Sequence, residues 1–230
     1  MDAGVDVFID EEPRDWLRPK AVVGAEPVGT VVPAARAKAP EVPADVLPDQ
    51  LGLFQQWLAD HDKLPYASPS APRVCPSGDP ASGLMVFTDM PSHEDCASGT
   101  LLSGETGRLF DRMMAAIGRD RASLYLAAAS CFQTPGGQLS GPPAKQCSDI
   151  ARHHIGLAAP RVVLVFGDAA SKVLLGLPVT RARGRWHEID THAGPVRATA
   201  TFHPAHLLKR PADKAHAWAD LQMVMQGYNA

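Results

Sequence analysis

Aromatic residues are scarce in this chain of 230 residues, where seven Phe, three Tyr and four Trp make up 6% of the whole. Few rings are therefore on hand for a core or a site. Long apolar runs are missing too. No stretch approaches the roughly 20 consecutive apolar residues that span a bilayer. The acidic start Met1-Asp2-Ala3-Gly4-Val5-Asp6 lacks the basic and apolar regions of an export signal, so a cytoplasmic protein without membrane attachment is expected. Cysteine is limited to Cys75, Cys96, Cys131 and Cys147. Without an export signal these read as free thiols or metal ligands rather than disulfides. Nor is there an excess of positive charge, since 22 Lys and Arg against 25 Asp and Glu leave a formal net charge of −3. That excludes a global attraction to nucleic acid and requires any such partner to be held by a local patch. From Arg181 onward the balance reverses, with Arg181, Arg183, Arg185, Arg197, Lys209, Arg210 and Lys214 against Glu188, Asp190, Asp213 and Asp220.

A hydrophobic content of 45% suits a globular domain with one substantial core. Residues 1–48 do not belong to it by pattern. They carry Pro13, Pro19, Pro27, Pro33, Pro40, Pro43 and Pro48 among Ala and Val, with no sustained period, and are predicted to be a flexible tail. Inside it, Trp16-Leu17-Arg18 follows the acidic Asp10-Glu11-Glu12 and reads either as a short docking peptide or as residues that pack on the domain.

The domain is predicted over 49–230. Leu51, Phe54, Trp57 and Leu58 form a helical stripe, and a Pro- and Ser-rich linker follows from Lys63 to Pro80. Four short runs read as strands: Leu84 to Asp89, Leu124 to Ala129, Arg161 to Gly167 and Val196 to Thr201. Helical patterns separate them, with Leu109, Phe110, Met113, Met114 and Ile117 on one helix and Ile150, His154 and Leu157 on the next. Asp168 is the expected N-cap of a third helix. A hairpin-like insert precedes the last run, and Trp218, Leu221, Met225 and Tyr228 mark a final helix. This alternation predicts a three-layer α/β/α doubly wound domain on a central four-stranded parallel sheet. Such sheets build sites beyond the carboxyl ends of their strands, here at Asp89, Ala127/Ala128, Gly167 and His203.

The order of several motifs resembles the uracil-DNA glycosylase superfamily, most closely its family 4, the iron–sulfur type. Thr88-Asp89-Met90-Pro91 with Glu94-Asp95 stands where that family has Gly-Glu-x-Pro-Gly-x-x-Glu-Asp. Further matches are Gly104-Glu105-Thr106-Gly107, Cys131 with Cys147, Pro160 to Ala170, Arg183-Gly184-Arg185-Trp186, His203-Pro204-Ala205-His206-Leu207-Leu208-Lys209 and Trp218-Ala219-Asp220-Leu221. The resemblance implies a DNA base-excision role. Asp89 would orient water or stabilise positive charge on the sugar, and His203 would stabilise the negative charge on the leaving base. Asp89 could equally be a strand-end cap. The base pocket would take in Pro91, Leu102, Ala127 and Ala128. Leu102 stands for the family's stacking Phe, and Ala127 or Ala128 for its base-reading Asn, so selectivity for uracil is expected to be weak. Arg183, Arg185, His206, Lys209, Arg210 and Ser171 are the expected DNA contacts.

Family 4 also holds a 4Fe-4S cluster on four cysteines. Cys131 and Cys147 match the last two, whereas the first two fall at His61 and Leu64, so no cluster is expected. Cys75 lies too far along the chain to serve unless the linker refolds. Two functional readings stay open: a divergent glycosylase acting on a deaminated or damaged base, or a catalytically inactive DNA-binding or adaptor module. In the second, the region around Trp16 would join a repair or replication assembly.

Overall fold

The structure, a computed structural model, describes residues 47–68 and 70–229. Residues 1–46 of the expected tail, Trp16 among them, lie outside the described residues. The domain opens with α1 (Leu51–Asp60), which buries Phe54 and Leu58. Its alternating core follows as β1 (Ser77–Gly78), β2 (Leu84–Thr88), α2 (His93–Ser98), α3 (Gly104–Ala115), β3 (Tyr125–Ala128), α4 (Gly141–Ala158), β4 (Val162–Phe166) and α5 (Asp168–Leu175). Then come α6 (Val179–Ala182), β5 (His187–Thr191), β6 (Gly194–Thr201), α7 (Pro204–Lys209) and α8 (Lys214–Asn229).

The sheet has six strands in the order β1-β3-β2-β4-β6-β5, not four. The four expected strands are its parallel centre. The additions are antiparallel edges: the short β1 against β3, and β5, which pairs with β6 as the hairpin-like insert. Both were hard to read, because β1 is two residues long and exposed and β5 carries the polar pattern His-Glu-Ile-Asp-Thr. β2 and β4 are buried at every position, as apolar strands covered on both faces must be.

Register assigns the faces. Thr88, Ala128, Phe166 and Thr201 are level with one another in four parallel strands and so share a face. Phe166 meets Phe110 of α3 edge-on at 5.8 Å, and the Thr201 hydroxyl donates to Asp220 of α8 at 2.9 Å, so this is the α3/α8 face. Tyr125, one step out of phase, bonds His154 of α4 at 2.8 Å across the opposite face. The chain runs outward from β2 to β3 and then crosses to β4, which puts the topological switch point between the carboxyl ends of β2 and β4. Asp89 and Gly167 stand at that point.

Candidate functional site

Asp89 leaves β2 on the α4/α5 side, and its Oδ1 accepts the Ala170 N–H at 2.7 Å. The carboxylate thus caps the first turn of α5, a task expected of Asp168. Gly167 is the N-cap instead, at φ 105, and a Cβ there would run into the Asp89 carboxylate. Glycine is required on both counts. Asp168 turns away, accepting the Val179 N–H at 3.0 Å and pairing with Lys172 at 2.6 Å. Burial, together with the charge on Asp168, pushes the Asp89 carboxyl up to about 6 against the amide donors of Ala170, Ala169 and Asp168. It remains partly exposed. Of the two sequence readings of Asp89, the cap is what its hydrogen bonds show, and its carboxylate keeps further lone pairs.

His203 follows β6 and is the N-cap of α7. Its Nδ1 accepts the Ala205 N–H at 3.2 Å, which leaves the proton of the neutral ring on Nε2. Burial pushes its pKa down to about 4, outweighing the Asp95 carboxylate that raises it, while His206 adds to the lowering. The result at neutral pH is an uncharged imidazole offering one N–H. β2 and β6 flank β4, so Asp89 and His203 leave the same edge of the sheet with their backbones two strand spacings apart, about 9–10 Å.

Asp95, quoted only as part of a motif, proves central to the loop after β2. It is buried, and its carboxylate accepts the Ser92 N–H at 2.9 Å, the Ser103 N–H at 2.6 Å and the Ser103 hydroxyl at 2.7 Å. Burial acts to raise its pKa, but these donors outweigh it and the carboxyl stays below its ordinary value. Arg121 was not foreseen at all. Its guanidinium donates to Leu101 O at 2.9 Å and Leu102 O at 2.5 Å, and pairs with Asp111 at 2.7 Å. It thereby holds Leu102 at φ 53, a left-handed conformation that costs a branched residue about 1–2 kcal/mol. Leu102 is buried, as are Pro91 and Ala127, while Ala128 is partly exposed.

The expected DNA contacts divide. Arg185, Lys209 and Arg210 are exposed. Arg183 instead forks onto the buried Asp220 at 3.0 and 3.1 Å and donates to His216 O at 2.8 Å. His206 is tied to Asp213 at 2.7 Å, and the Ser171 hydroxyl is fully buried and donates to Leu177 O at 2.7 Å. Those three side chains hold the fold together.

The linker does fold back: Val74 N–H donates to Cys131 O at 2.9 Å, which brings Cys75 beside Cys131. Burial pushes Cys131 up to about 12, with Cys75 adding to the rise, and Cys147 up to about 12 as well. The donor set does not fit a 4Fe-4S cluster. Leu64 is packed with Phe54, Leu58 and Phe132 in an apolar cluster that touches Cys131. Among the described residues, no three His, Cys, Asp or Glu side chains are arranged to hold a metal ion.

A doubly wound sheet with an acidic group at its switch point and a neutral imidazole two strands away defines a site class, not yet a family. The family follows from sequence: residues 75–222 match the uracil DNA glycosylase superfamily, and the chain belongs to it. It is 21% identical over 154 residues to the type-4 uracil-DNA glycosylase of Archaeoglobus fulgidus, covering 64% of this chain and 77% of that one. With the type-4 enzyme of Pyrobaculum aerophilum it shares 22% identity over 181 residues, 76% of this chain and 92% of the relative.

Proposed function

We propose that this protein is a DNA N-glycosylase that removes a deaminated or damaged base with weak selectivity for uracil. The observation that carries the reading is the placement, at the carboxyl ends of two strands of one sheet, of an ionisable Asp89 and of a His203 fixed as a neutral Nε2–H donor. In that role the ionised Asp89 holds the attacking water or faces the positive charge that grows on the sugar. His203 donates to the base as it leaves with negative charge, and being neutral it does so without having to lose a proton first. The target base leaves the stack to reach them. DNA is held through its phosphates by Arg185, Lys209 and Arg210, exposed cations of the basic C-terminal part of the chain.

The type-4 relatives are named for acting on uracil. Here Ala127 and Ala128 have no side-chain amide to read its edge, and Leu102 has no ring to stack on it. Those same residues favour a second reading, an inactive DNA-binding or adaptor module that meets a repair or replication partner near Trp16. The iron–sulfur cluster is absent from both readings.

Incubation of the purified protein with single- and double-stranded oligonucleotides carrying uracil, hypoxanthine or xanthine, followed by alkaline cleavage at abasic sites, separates the two. Slow release of more than one base supports the enzyme. Stable DNA binding with no release of any base supports the module.

A further inference from the structure

α8 buries Ala217, Leu221 and Val224, a stripe at spacings of four and three. Trp218 stands on the flank of that stripe and is left 41% exposed. Its indole makes no hydrogen bond and no ring contact among the described residues. It borders a groove of about 180 Å³ between α3 and α8, whose apolar wall is completed by Leu109 and Met113. That volume is close to the roughly 150 Å³ that admits benzene into an apolar cavity, so it takes one large apolar side chain.

Two cations, Arg112 of α3 and Lys214 at the start of α8, are the charged residues that line the groove, and no carboxylate lines it. Both are exposed, and neither side chain is hydrogen-bonded or ion-paired among the described residues. Other surface cations of the domain find carboxylates: Arg121 meets Asp111 at 2.7 Å, and Lys172 meets Asp168 at 2.6 Å. Lys214 is also poorly placed for the helix that it opens. The first turn of α8 holds no acidic residue, and a cation there works against the helix dipole. A tryptophan left in water and two unpaired cations around one groove add little to the isolated fold. Trp and Arg are among the residue types most enriched where partners dock.

We infer that the α3/α8 groove docks an acidic segment of a protein partner, one that lays a large apolar side chain against Trp218 and carboxylates over Arg112 and Lys214. Charge complementarity sets the sign of the partner. It also argues against a second copy of this chain, because a two-fold contact would bring Arg112 and Lys214 against the same cations. A nucleic-acid backbone would engage the cations but leave the apolar wall unused. The groove lies on the α3/α8 face, whereas Asp89 leaves β2 on the α4/α5 side, so docking stands apart from base release and does not depend on it.

The test pans the full-length protein against a random-peptide library displayed on phage and measures the selected peptides by fluorescence anisotropy. Two variants are compared with the wild type: Trp218→Ala, and Arg112→Glu combined with Lys214→Glu. The selected peptides should share a large apolar residue flanked by Asp or Glu. Each variant should weaken their binding about tenfold or more, and added salt should weaken the wild type's binding but not what remains in the charge-reversed variant. Both variants should melt near the wild type and keep its affinity for duplex DNA. Should Trp218→Ala fail to fold, the charge-reversed variant decides alone, since both of its side chains are exposed.

A library that yields no binder, or peptides without acidic residues, overturns the proposal. So does binding that survives the double charge reversal. A concentration-dependent dimer in sedimentation that Trp218→Ala dissolves would make a second copy the occupant. A loss of duplex affinity in the charge-reversed variant would assign the groove to the DNA face instead.

Discussion

At the scale of single residues, the two groups of the site titrate in opposite senses, and their pH dependence separates them. Asp89 is raised to about 6 and His203 lowered to about 4. If ionised Asp89 is needed, the rate of base release rises with pH through about 6 and then levels. Protonation of His203 adds a second loss only near 4. Asp89→Asn should lower the plateau and erase the limb near 6, which a single-turnover pH profile will show. A limb at the ordinary aspartate value near 4 would mean that Asp89 is not the group in play.

A second residue-scale contrast concerns the arginines of one motif. Arg183 and Arg185 are two positions apart and were expected to act together on DNA, yet Asp220 claims Arg183, with side-chain exposures of 18% and 0% for the two partners. Removing one partner of a buried pair costs about 3–5 kcal/mol. Arg183→Ala should therefore show a large loss of stability in chemical denaturation, and Arg185→Ala almost none. For the DNA face, reversing the charges of Arg185, Lys209 and Arg210 together should weaken binding, with each lost phosphate contact cutting the log–log salt slope by about 0.9 on duplex. A triple mutant with unchanged slope would rule that face out.

At the scale of elements, the sequence made legible what burial enforces. Of the four parallel strands, β2, β3 and β4 are near-continuous apolar runs and β6 is β-branched and small toward its end, and their ends deliver Asp89, Gly167 and His203 to one edge as expected. Contacts that depend on distant residues were not legible. Nothing near Asp168 announces that Asp89, 79 positions earlier, already caps α5, because capping signals are read locally while this cap comes across the sheet. Arg121 likewise resembles any surface arginine until β3 is placed beside the loop that ends in Leu102. The refolding of the linker that carries Cys75 beside Cys131 is one backbone bond with no sequence period behind it.

The α5 junction is open to test. Gly167→Ala puts a methyl group against the Asp89 carboxylate at a left-handed position. The fold should lose stability, and base release should fall further than stability alone explains, because Asp89 must move. Wild-type release rates from a stably folded Gly167→Ala protein would show that the cap does not position Asp89.

At the scale of the molecule, side-chain bonds tie α1 and the linker after it to β3 and α4. Gln55 of α1 donates to the Tyr125 hydroxyl at 2.8 Å, Tyr125 meets His154 of α4 at 2.8 Å, and Arg73 bonds the carbonyls of Leu58 and His61 at 2.9 Å each. Because Leu64, packed with Phe54, Leu58 and Phe132, cannot bind iron, the purified protein is expected to be colourless and to contain no stoichiometric iron or sulfide, which colorimetric assay checks. This network also sets a pH dependence. Burial lowers His154 to about 3 and His203 to about 4 from 6.5. In the unfolded chain both take up protons below 6.5, in the folded chain only much lower, so stability is full above 6.5 and falls as pH drops toward 4. The raised Asp89 and Asp220 act oppositely, but the two histidines are displaced further from their ordinary values. Denaturation midpoints should fall across this window, and His154→Gln should flatten the slope.

The central claim is that Asp89 and His203 perform N-glycosidic cleavage as a polar pair, and single-turnover base release by His203→Ala tests it most directly. With a substrate that the wild type processes, loss of one preorganised donor should slow release about 10²–10³-fold. DNA binding should be unchanged, because the exposed cations are untouched. A His203→Ala protein that binds DNA normally and releases the base at the wild-type rate would contradict the account.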